Sequence, residues 1–313
     1  MSHEKHIPGI HHVTAIATDP RRNFRFYTNV LGLRFVKRTV NFDDRYTYHL
    51  YYGDEVGHPG TIMTFFPWPD AAPGRRGVGT ADATAFLVPP DSFDFWTERL
   101  AANDVEYSGP TDRFGERVIE FSDPDGLRLE LVGHREAADV DPWRDGPVPS
   151  EYAIRGFYGV TLAVEGYERT ASLLEETMGY EFVGEEDGQR FRYRATGGNL
   201  GMVIDLRCVP DLQPGRVGAG TVHHIAFRTA DDGQQLEWRE DLVARGLNVT
   251  PVIDRQYFRS IYYRIPAGIL FEIATDPPGF TKDEPVEELG TNLQLPPWFE
   301  SEREAIEARL PEL

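Results

Sequence analysis

The chain has 313 residues, of which 40% are hydrophobic and 12% aromatic, a composition typical of a globular protein long enough for two domains. Its formal net charge of −19 argues against a nucleic-acid partner or an anionic membrane surface, because like charges repel. No apolar run reaches the roughly 18 to 20 residues that span a bilayer, residues 1–9 lack the apolar core of a signal peptide, and the single cysteine, Cys208, excludes an intrachain disulfide. We therefore expect a cytoplasmic protein.

One pattern, a strand followed by a helix and three strands, recurs four times along the chain. The first copy covers residues 10–68 and begins with a strand. Asp19 suits the N-cap of the helix that follows, Pro20 suits its first turn, and Gly32 suits its end. Alternating runs after that glycine predict three strands, which are separated by glycine-rich turns.

The second copy, residues 80–133, completes an N-terminal half that we place at residues 1–135. It contains a predicted strand at 83–88 and a predicted helix at 92–102. An Asp-Pro-Asp-Gly turn at 123–126 separates its last two strands.

The second half repeats this organisation. Residues 136–153 are rich in Asp, Pro and Gly and are predicted to be a linker. The C-terminal half, residues 154–275, contains the third copy at 156–208 and the fourth at 221–275. Residues 276–313 are predicted to form a C-terminal tail.

Two of the copies open their first strand with a histidine pair, His11-His12 and His223-His224, and a later strand carries the lone carboxylate Glu272. Side chains alternate across a strand, so one histidine of each pair should face the interior of a funnel. The more apolar face of each strand should pack on the helices, which leaves His12, His224 and Glu272 pointing inward. Two imidazoles and one carboxylate on stiff strands are the parts of a facial triad for a divalent metal.

Aligning the last strands of the four copies shows what replaces Glu272 elsewhere. The equivalent residue is Thr64 in the first copy, Glu130 in the second and Asp205 in the third, and the second and third copies have no histidine pair. We therefore expect the first copy to pack beside the fourth around a metal. The second and third copies should form another funnel, without metal, that Glu130 and Asp205 line. With Thr64 where a fourth ligand would lie, three positions of an octahedral ion stay open.

These four units resemble the vicinal oxygen chelate superfamily of glyoxalases, bleomycin-resistance proteins and extradiol dioxygenases, and within it the hydroquinone ring-cleaving dioxygenases. The motifs that carry the resemblance lie at residues 10–14, 34–40, 48–52, 59–64, 113–116, 223–227 and 279–281. The resemblance implies an α+β fold in which four βαβββ modules form two eight-stranded funnel-like barrels. It also implies iron(II) held by His12, His224 and Glu272, with Tyr262 and Arg255 near the substrate.

Further residues have a functional and a structural interpretation. Tyr262 and Arg255 would bind and stabilise a phenolate, or instead make strand packing and a surface ion pair. Thr14 would line the substrate pocket, or is an ordinary strand threonine. His11 and His223 would hydrogen-bond the neighbouring ligands, or transfer protons if a local bulge turns them inward, or are structural. The remaining histidines are expected to be structural or solvated, namely His3, His6, His49, His58 and His134.

The sequence thus predicts an iron(II)-dependent extradiol-type ring-cleaving dioxygenase. It would act on a hydroquinone or related dihydroxy aromatic and insert both atoms of dioxygen, with manganese(II) as the alternative metal. One alternative is a glyoxalase-like metal-dependent isomerase or lyase, and another is a non-catalytic aromatic-ligand binding protein. Neither a nucleic acid nor a membrane is an expected partner. The ring substituents and the formation of a homo-oligomer are left open by the sequence.

Overall fold

The computed structural model describes residues 5–313, which form two eight-stranded sheets with five short α-helices on their outer faces and in the tail. The elements of the first two modules are β1 (Ile10–Ala17), α1 (Pro20–Arg25, continued by a π-helical turn at Phe26–Val30), β2 (Arg34–Asn41), β3 (Asp44–Gly53), β4 (Ile62–Pro67), β5 (Thr80–Val88), α2 (Phe93–Ala102), β6 (Tyr107–Arg113), β7 (Glu116–Ser122) and β8 (Arg128–Gly133). The remaining elements are β9 (Gly156–Val164), α3 (Glu168–Glu176), β10 (Glu181–Glu186), β11 (Arg190–Arg194), β12 (Val203–Cys208), β13 (Val222–Thr229), α4 (Asp232–Ala244), β14 (Ile253–Asp254), β15 (Arg259–Arg264), β16 (Leu270–Thr275) and α5 (Arg303–Glu307).

Each sheet combines two modules. The two modules of the first sheet come from the two ends of the chain, and those of the second sheet are adjacent in sequence. The first sheet has the order β14-β15-β16-β13-β1-β4-β3-β2, so the first and fourth modules meet through the antiparallel pair β1 and β13. The second sheet has the order β10-β11-β12-β9-β5-β8-β7-β6 and joins the second and third modules. The predicted α+β fold with two eight-stranded funnels is therefore confirmed. Across the described residues, no helix has the length and hydropathy that a bilayer crossing needs.

The helices form where capping and apolar spacing favour them. The Asp19 carboxylate accepts a hydrogen bond from the Arg22 main-chain N–H at 3.0 Å, and Pro20 lies in the first turn of α1. On α4, Trp238 and Leu242 are four residues apart and both fully buried against the sheet. This packing leaves the concave faces of the sheets free to form interiors of their own.

The interior of the second sheet is filled by ion pairs. Arg113 donates to Glu130 at 2.8 Å, and Arg192 donates to both carboxylate oxygens of Asp205 at 2.8 and 3.0 Å. All four side chains are nine-tenths buried, so each charge is stable only because its partner is present. The two carboxylates that replace Glu272 in these modules thus hold arginines.

The C-terminal tail packs against the β2 and β3 side of the first sheet. Lys37 on β2 is fully buried and donates to Asp283 at 2.7 Å and to Glu284 at 2.5 Å. The ring of Phe280 packs at 5.0 Å from the ring of Tyr51 on β3. The tail therefore supports the strands that form one wall of the first sheet's interior.

Candidate metal centre

A β-bulge in strand β1 determines where its histidine pair points. Ile10 pairs with Phe227 of β13, but His12, two residues later, pairs with Ala226, one residue earlier. His11 is therefore an extra residue on β1 with no partner of its own. A bulge interrupts the alternation of side chains across the strand, so His11 and His12 need not face opposite sides.

A second β-bulge lies on the partner strand, β13. Thr14 of β1 pairs with His224, but Ala15 pairs with Val222, which makes His223 the extra residue. Both histidines therefore lie in local bulges, as one of the interpretations given for them requires, and strict alternation does not fix the side that each one faces.

His12, His224 and Glu272 converge at the centre of the first sheet. The Nε2 atoms of the two histidines are 3.3 Å apart, and Glu272 Oε2 lies 2.9 Å from His224 Nε2 and 3.4 Å from His12 Nε2. All three side chains are at least 95% buried. Within the described residues, this is the one group of three or more His, Cys, Asp or Glu side chains whose ligand atoms are close enough to share a metal.

The three donors fit a divalent metal ion. Although it is close to two imidazoles, Glu272 Oε2 makes no contact with hydrogen-bond geometry, so a buried carboxylate oxygen has no hydrogen-bond donor. Ligands bound at right angles with bonds of about 2.1 Å would be about 3.0 Å apart, close to the observed spacings. A shared ion would satisfy all three atoms at once.

The protonation states also suit a metal. Burial would raise the pKa of Glu272, but its contacts with His12 and His224 outweigh burial and hold that pKa well below its ordinary value. Burial lowers the pKa of His224, and the opposing effect of Glu272 is smaller. An ionised carboxylate and a neutral imidazole are the forms that bind divalent metals. The second oxygen of Glu272, Oε1, accepts a short hydrogen bond from the hydroxyl of Ser260.

Each bulged histidine touches the ring of its neighbour. The Nδ1 atoms of His11 and His12 are 2.9 Å apart, and those of His223 and His224 are 2.8 Å apart. An imidazole that binds metal through Nε2 carries its proton on Nδ1, and a bulged histidine that accepts a hydrogen bond from this N–H group fixes the orientation of the ligand. Of the two bulged residues, His11 is 2% exposed, whereas His223 is half-buried and lines a cavity.

That cavity has a volume of about 540 Å³ and opens from the metal cluster to the protein surface. Its walls are mostly aromatic or apolar, with Phe42, Phe66, Trp68, Phe258, Ile253 and Leu270 among the lining residues. A flat aromatic ring is the kind of ligand that such walls bind, and the volume is in the ordinary range for small-molecule sites.

Tyr262 and Arg255 both line this cavity. The guanidinium Nε of Arg255 donates to the Tyr262 hydroxyl at 3.1 Å, and the Tyr262 ring lies 5.7 Å from the His224 ring. Burial and the negative charge of Glu272 raise the pKa of Tyr262, so its hydroxyl stays protonated. The structure thus brings the two polar residues predicted to contact substrate beside the candidate metal ligands.

Thr14 does not line this cavity, but it takes part in a chain of hydrogen bonds that reaches a residue which does. Its hydroxyl is 2.9 Å from that of Thr64, which is 2.8 Å from His49 Nε2, and His49 Nδ1 is 2.7 Å from the Tyr51 hydroxyl. Thr14 is fully buried, whereas His49 lines the cavity beside Phe66. The expectation that His49 is only structural or solvated therefore missed a cavity residue.

The other described histidines do not line the cavity. His58 is exposed and lies 2.6 Å from Asp54, His134 lies 3.5 Å from Glu136, and His6 is half-buried near the N-terminus. His3 is outside the described residues.

Fold and site together define the class of protein. The chain belongs to the Glyoxalase/Bleomycin resistance protein/Dioxygenase superfamily, whose family model matches residues 9–131 and 157–281. It is 51% identical over 302 residues to the "Putative ring-cleaving dioxygenase MhqO" of Bacillus subtilis, covering 96% of this chain and 95% of that protein. It is 34% identical to the chlorohydroquinone/hydroquinone 1,2-dioxygenase of Sphingobium indicum, covering 98% and 97%. A crystal structure described as a "putative dioxygenase" from Bacillus subtilis superposes with a TM-score of 0.94 at 50% identity, covering 99% of this chain and 98% of that one.

Proposed function

We propose that this protein is an iron(II)-dependent, extradiol-type ring-cleaving dioxygenase that acts on a hydroquinone or a related dihydroxy aromatic. The observation that carries the proposal is the buried cluster of His12, His224 and Glu272, in which one carboxylate oxygen has no hydrogen-bond donor and both histidines line a cavity with aromatic walls. The relatives named as ring-cleaving and hydroquinone dioxygenases, which match nearly the whole chain, support the same reaction class.

His12, His224 and Glu272 would hold the metal through Nε2, Nε2 and Oε2. Bound there, iron(II) would supply Lewis acidity towards the substrate hydroxyl and one-electron chemistry towards dioxygen, and manganese(II) is the alternative. Thr64 lies on β4 beside Thr14 and hydrogen-bonds its neighbours, so no fourth carboxylate competes from that strand for the metal.

The residues around the cluster would bind and orient the ring. Phe66 and Phe258 present apolar surface to a flat substrate and keep water away from it. The protonated Tyr262 hydroxyl can donate to a substrate oxygen, and the permanent charge of Arg255 stabilises negative charge that develops there.

His223 is the residue to which we assign proton transfer. Its ring lines the cavity, while its Nδ1 touches the Nδ1 of His224, so it can exchange a proton with a substrate hydroxyl without leaving its position. We assign His11, which is buried beneath His12, the role of orienting that ligand.

The overall reaction balances without another reductant. One ring carbon–carbon bond breaks, both atoms of dioxygen enter the product, and the proton released from the substrate hydroxyl is returned to the ring-opened product.

The cell compartment proposed for this reaction is the cytoplasm, on the grounds of the single cysteine.

The test is oxygen consumption after anaerobic loading with iron(II), using hydroquinone, catechol, and chlorinated and methylated hydroquinones. We expect uptake of one dioxygen per ring with a hydroquinone, and both atoms of ¹⁸O₂ in the product. His224→Ala should abolish the uptake, while His58→Ala, a matched change at an exposed histidine, should not. Metal-dependent conversion of a substrate without oxygen uptake would favour the isomerase or lyase, and ligand binding unaffected by chelator and by His224→Ala would favour a binding protein.

A further inference from the structure

The cavity that opens from the metal cluster has an uneven distribution of charge at its mouth. Its charged lining residues within the described part of the chain are Asp43, Asp44 and Arg255. Asp43 and Asp44 lie where β2 turns into β3, in the first module, and Arg255 follows β14 in the fourth. Two anions thus face one cation across the mouth.

The single cation already has an anionic partner and a neutral one. Arg255 donates through one terminal nitrogen to Asp43 Oδ2 at 2.9 Å and through Nε to the Tyr262 hydroxyl at 3.1 Å. Its side chain is 17% exposed, whereas that of Asp43 is 74% exposed. The main-chain N–H of Asp43 donates to the side-chain oxygen of Asn41, which holds the turn in place. A solvent-exposed carboxylate therefore occupies the outer side of a mostly buried guanidinium.

The second anion is fixed in its charged form. Asp44 Oδ2 accepts hydrogen bonds from the Trp68 indole N–H at 2.9 Å and from the Thr47 hydroxyl at 2.7 Å. Burial would raise the pKa of Asp44, but these hydrogen bonds outweigh burial and lower it. With Asp43 paired to Arg255, the three charged lining residues sum to −1, and Asp44 supplies the excess negative charge.

We infer that Asp43 is a specificity residue that makes the site select uncharged dihydroxy aromatics and reject rings that carry a carboxylate. The inference rests on the proposed function and names its substrate class. A ring carboxylate entering this cavity meets Asp44 and finds Arg255 already paired with Asp43, so it must compete with Asp43 for the guanidinium in a partly buried site. A neutral hydroquinone meets neither obstacle.

The experiment is an anaerobic calorimetric titration of the iron(II)-loaded protein with hydroquinone and with 2,5-dihydroxybenzoate. The wild type should prefer hydroquinone. Asp43→Asn removes one charge from an exposed side chain and frees Arg255, so it should shift the preference towards the acid by about ten-fold. Asp44→Asn is the matched control, because it removes the same charge from the adjacent residue and leaves the pair with Arg255 intact. It should shift the preference by no more than about three-fold.

The double variant Asp43→Asn with Arg255→Gln shows whether the effect acts through the guanidinium, and it should lose the gain in affinity for the acid. A preference in Asp43→Asn within about two-fold of the wild type would overturn the inference, as would an equal shift in Asp44→Asn. Failure of the wild-type protein to bind either compound would also overturn it. Oxygen uptake by the wild type with hydroquinone tests the proposed reaction separately, because the binding preference is measured without turnover.

Discussion

The hydroxyl of Ser260 offers the most informative perturbation of the metal centre. It donates a short hydrogen bond to Glu272 Oε1, and both residues are fully buried on the adjacent strands β15 and β16. In Ser260→Ala, Oε1 would remain buried without this donor, and the carboxylate would lose the contact that fixes its orientation. Removal of such an outer contact typically costs about 10- to 100-fold in metal affinity, or about 1.4 to 2.7 kcal/mol.

The assay is competition for iron(II) against a chelator, combined with thermal unfolding of the metal-free protein. We expect the iron(II) dissociation constant to rise at least about ten-fold in Ser260→Ala and to return towards the wild-type value in Ser260→Thr, which keeps the hydroxyl. Thr84→Val is the matched control, because Thr84 is another buried hydroxyl, located in the second sheet. An iron(II) affinity in Ser260→Ala within about two-fold of the wild type, despite a lowered Tm, would refute the reasoning.

Three further predictions concern the cavity and the fold. His49→Phe keeps an aromatic ring beside Phe66 but removes the hydrogen bond to Thr64. We expect kcat to fall about ten-fold with unchanged iron(II) affinity. A kcat equal to that of the wild type would show that this hydrogen bond does not contribute to the reaction. Burial raises the pKa of Asp123 to about 6 from an ordinary value of 3.8, so the folded state holds this proton more tightly than the unfolded state. The resulting stability, about 3 kcal/mol, should be present below pH 4 and lost as the pH rises through 6; urea unfolding across this range should show the loss in the wild type and not in Asp123→Asn. Arg192→Met would remove the two hydrogen bonds that Arg192 donates to the buried Asp205 carboxylate. The free energy of unfolding should fall by about 3 to 5 kcal/mol, with no change in the iron(II) affinity of the folded protein.

Strand periodicity and internal repetition were sufficient to predict the parts of the fold that depend on local pattern. The four copies of one unit predict the modules, and the placing of histidines in the first and fourth copies predicts that these two meet, as the pairing of β1 with β13 confirms. Period-two alternation singled out His12, His224 and Glu272, which the structure brings together, and their role as metal ligands stays a prediction.

Features that depend on pairing between distant strands could not be predicted in the same way. The bulges at His11 and His223 exist only in the register between β1 and β13, which local alternation cannot specify. His49 was missed because its partners, Thr64 and Tyr51, are brought together by the pairing of β3 with β4. The second sheet has the same bulges, since the positions equivalent to the two histidines, Asp82 and Tyr158, are also extra residues in the pairing of β5 with β9.

The central claim is that three side chains from the two ends of the chain hold a metal whose other positions are left for substrate and dioxygen. The most direct measurement is a crystal structure of the protein loaded anaerobically with iron(II), with the ion located by its anomalous scattering. We predict one ion bound to His12 Nε2, His224 Nε2 and Glu272 Oε2, with no other protein ligand. An ion bound elsewhere, or a fourth side chain in its coordination sphere, would contradict the account.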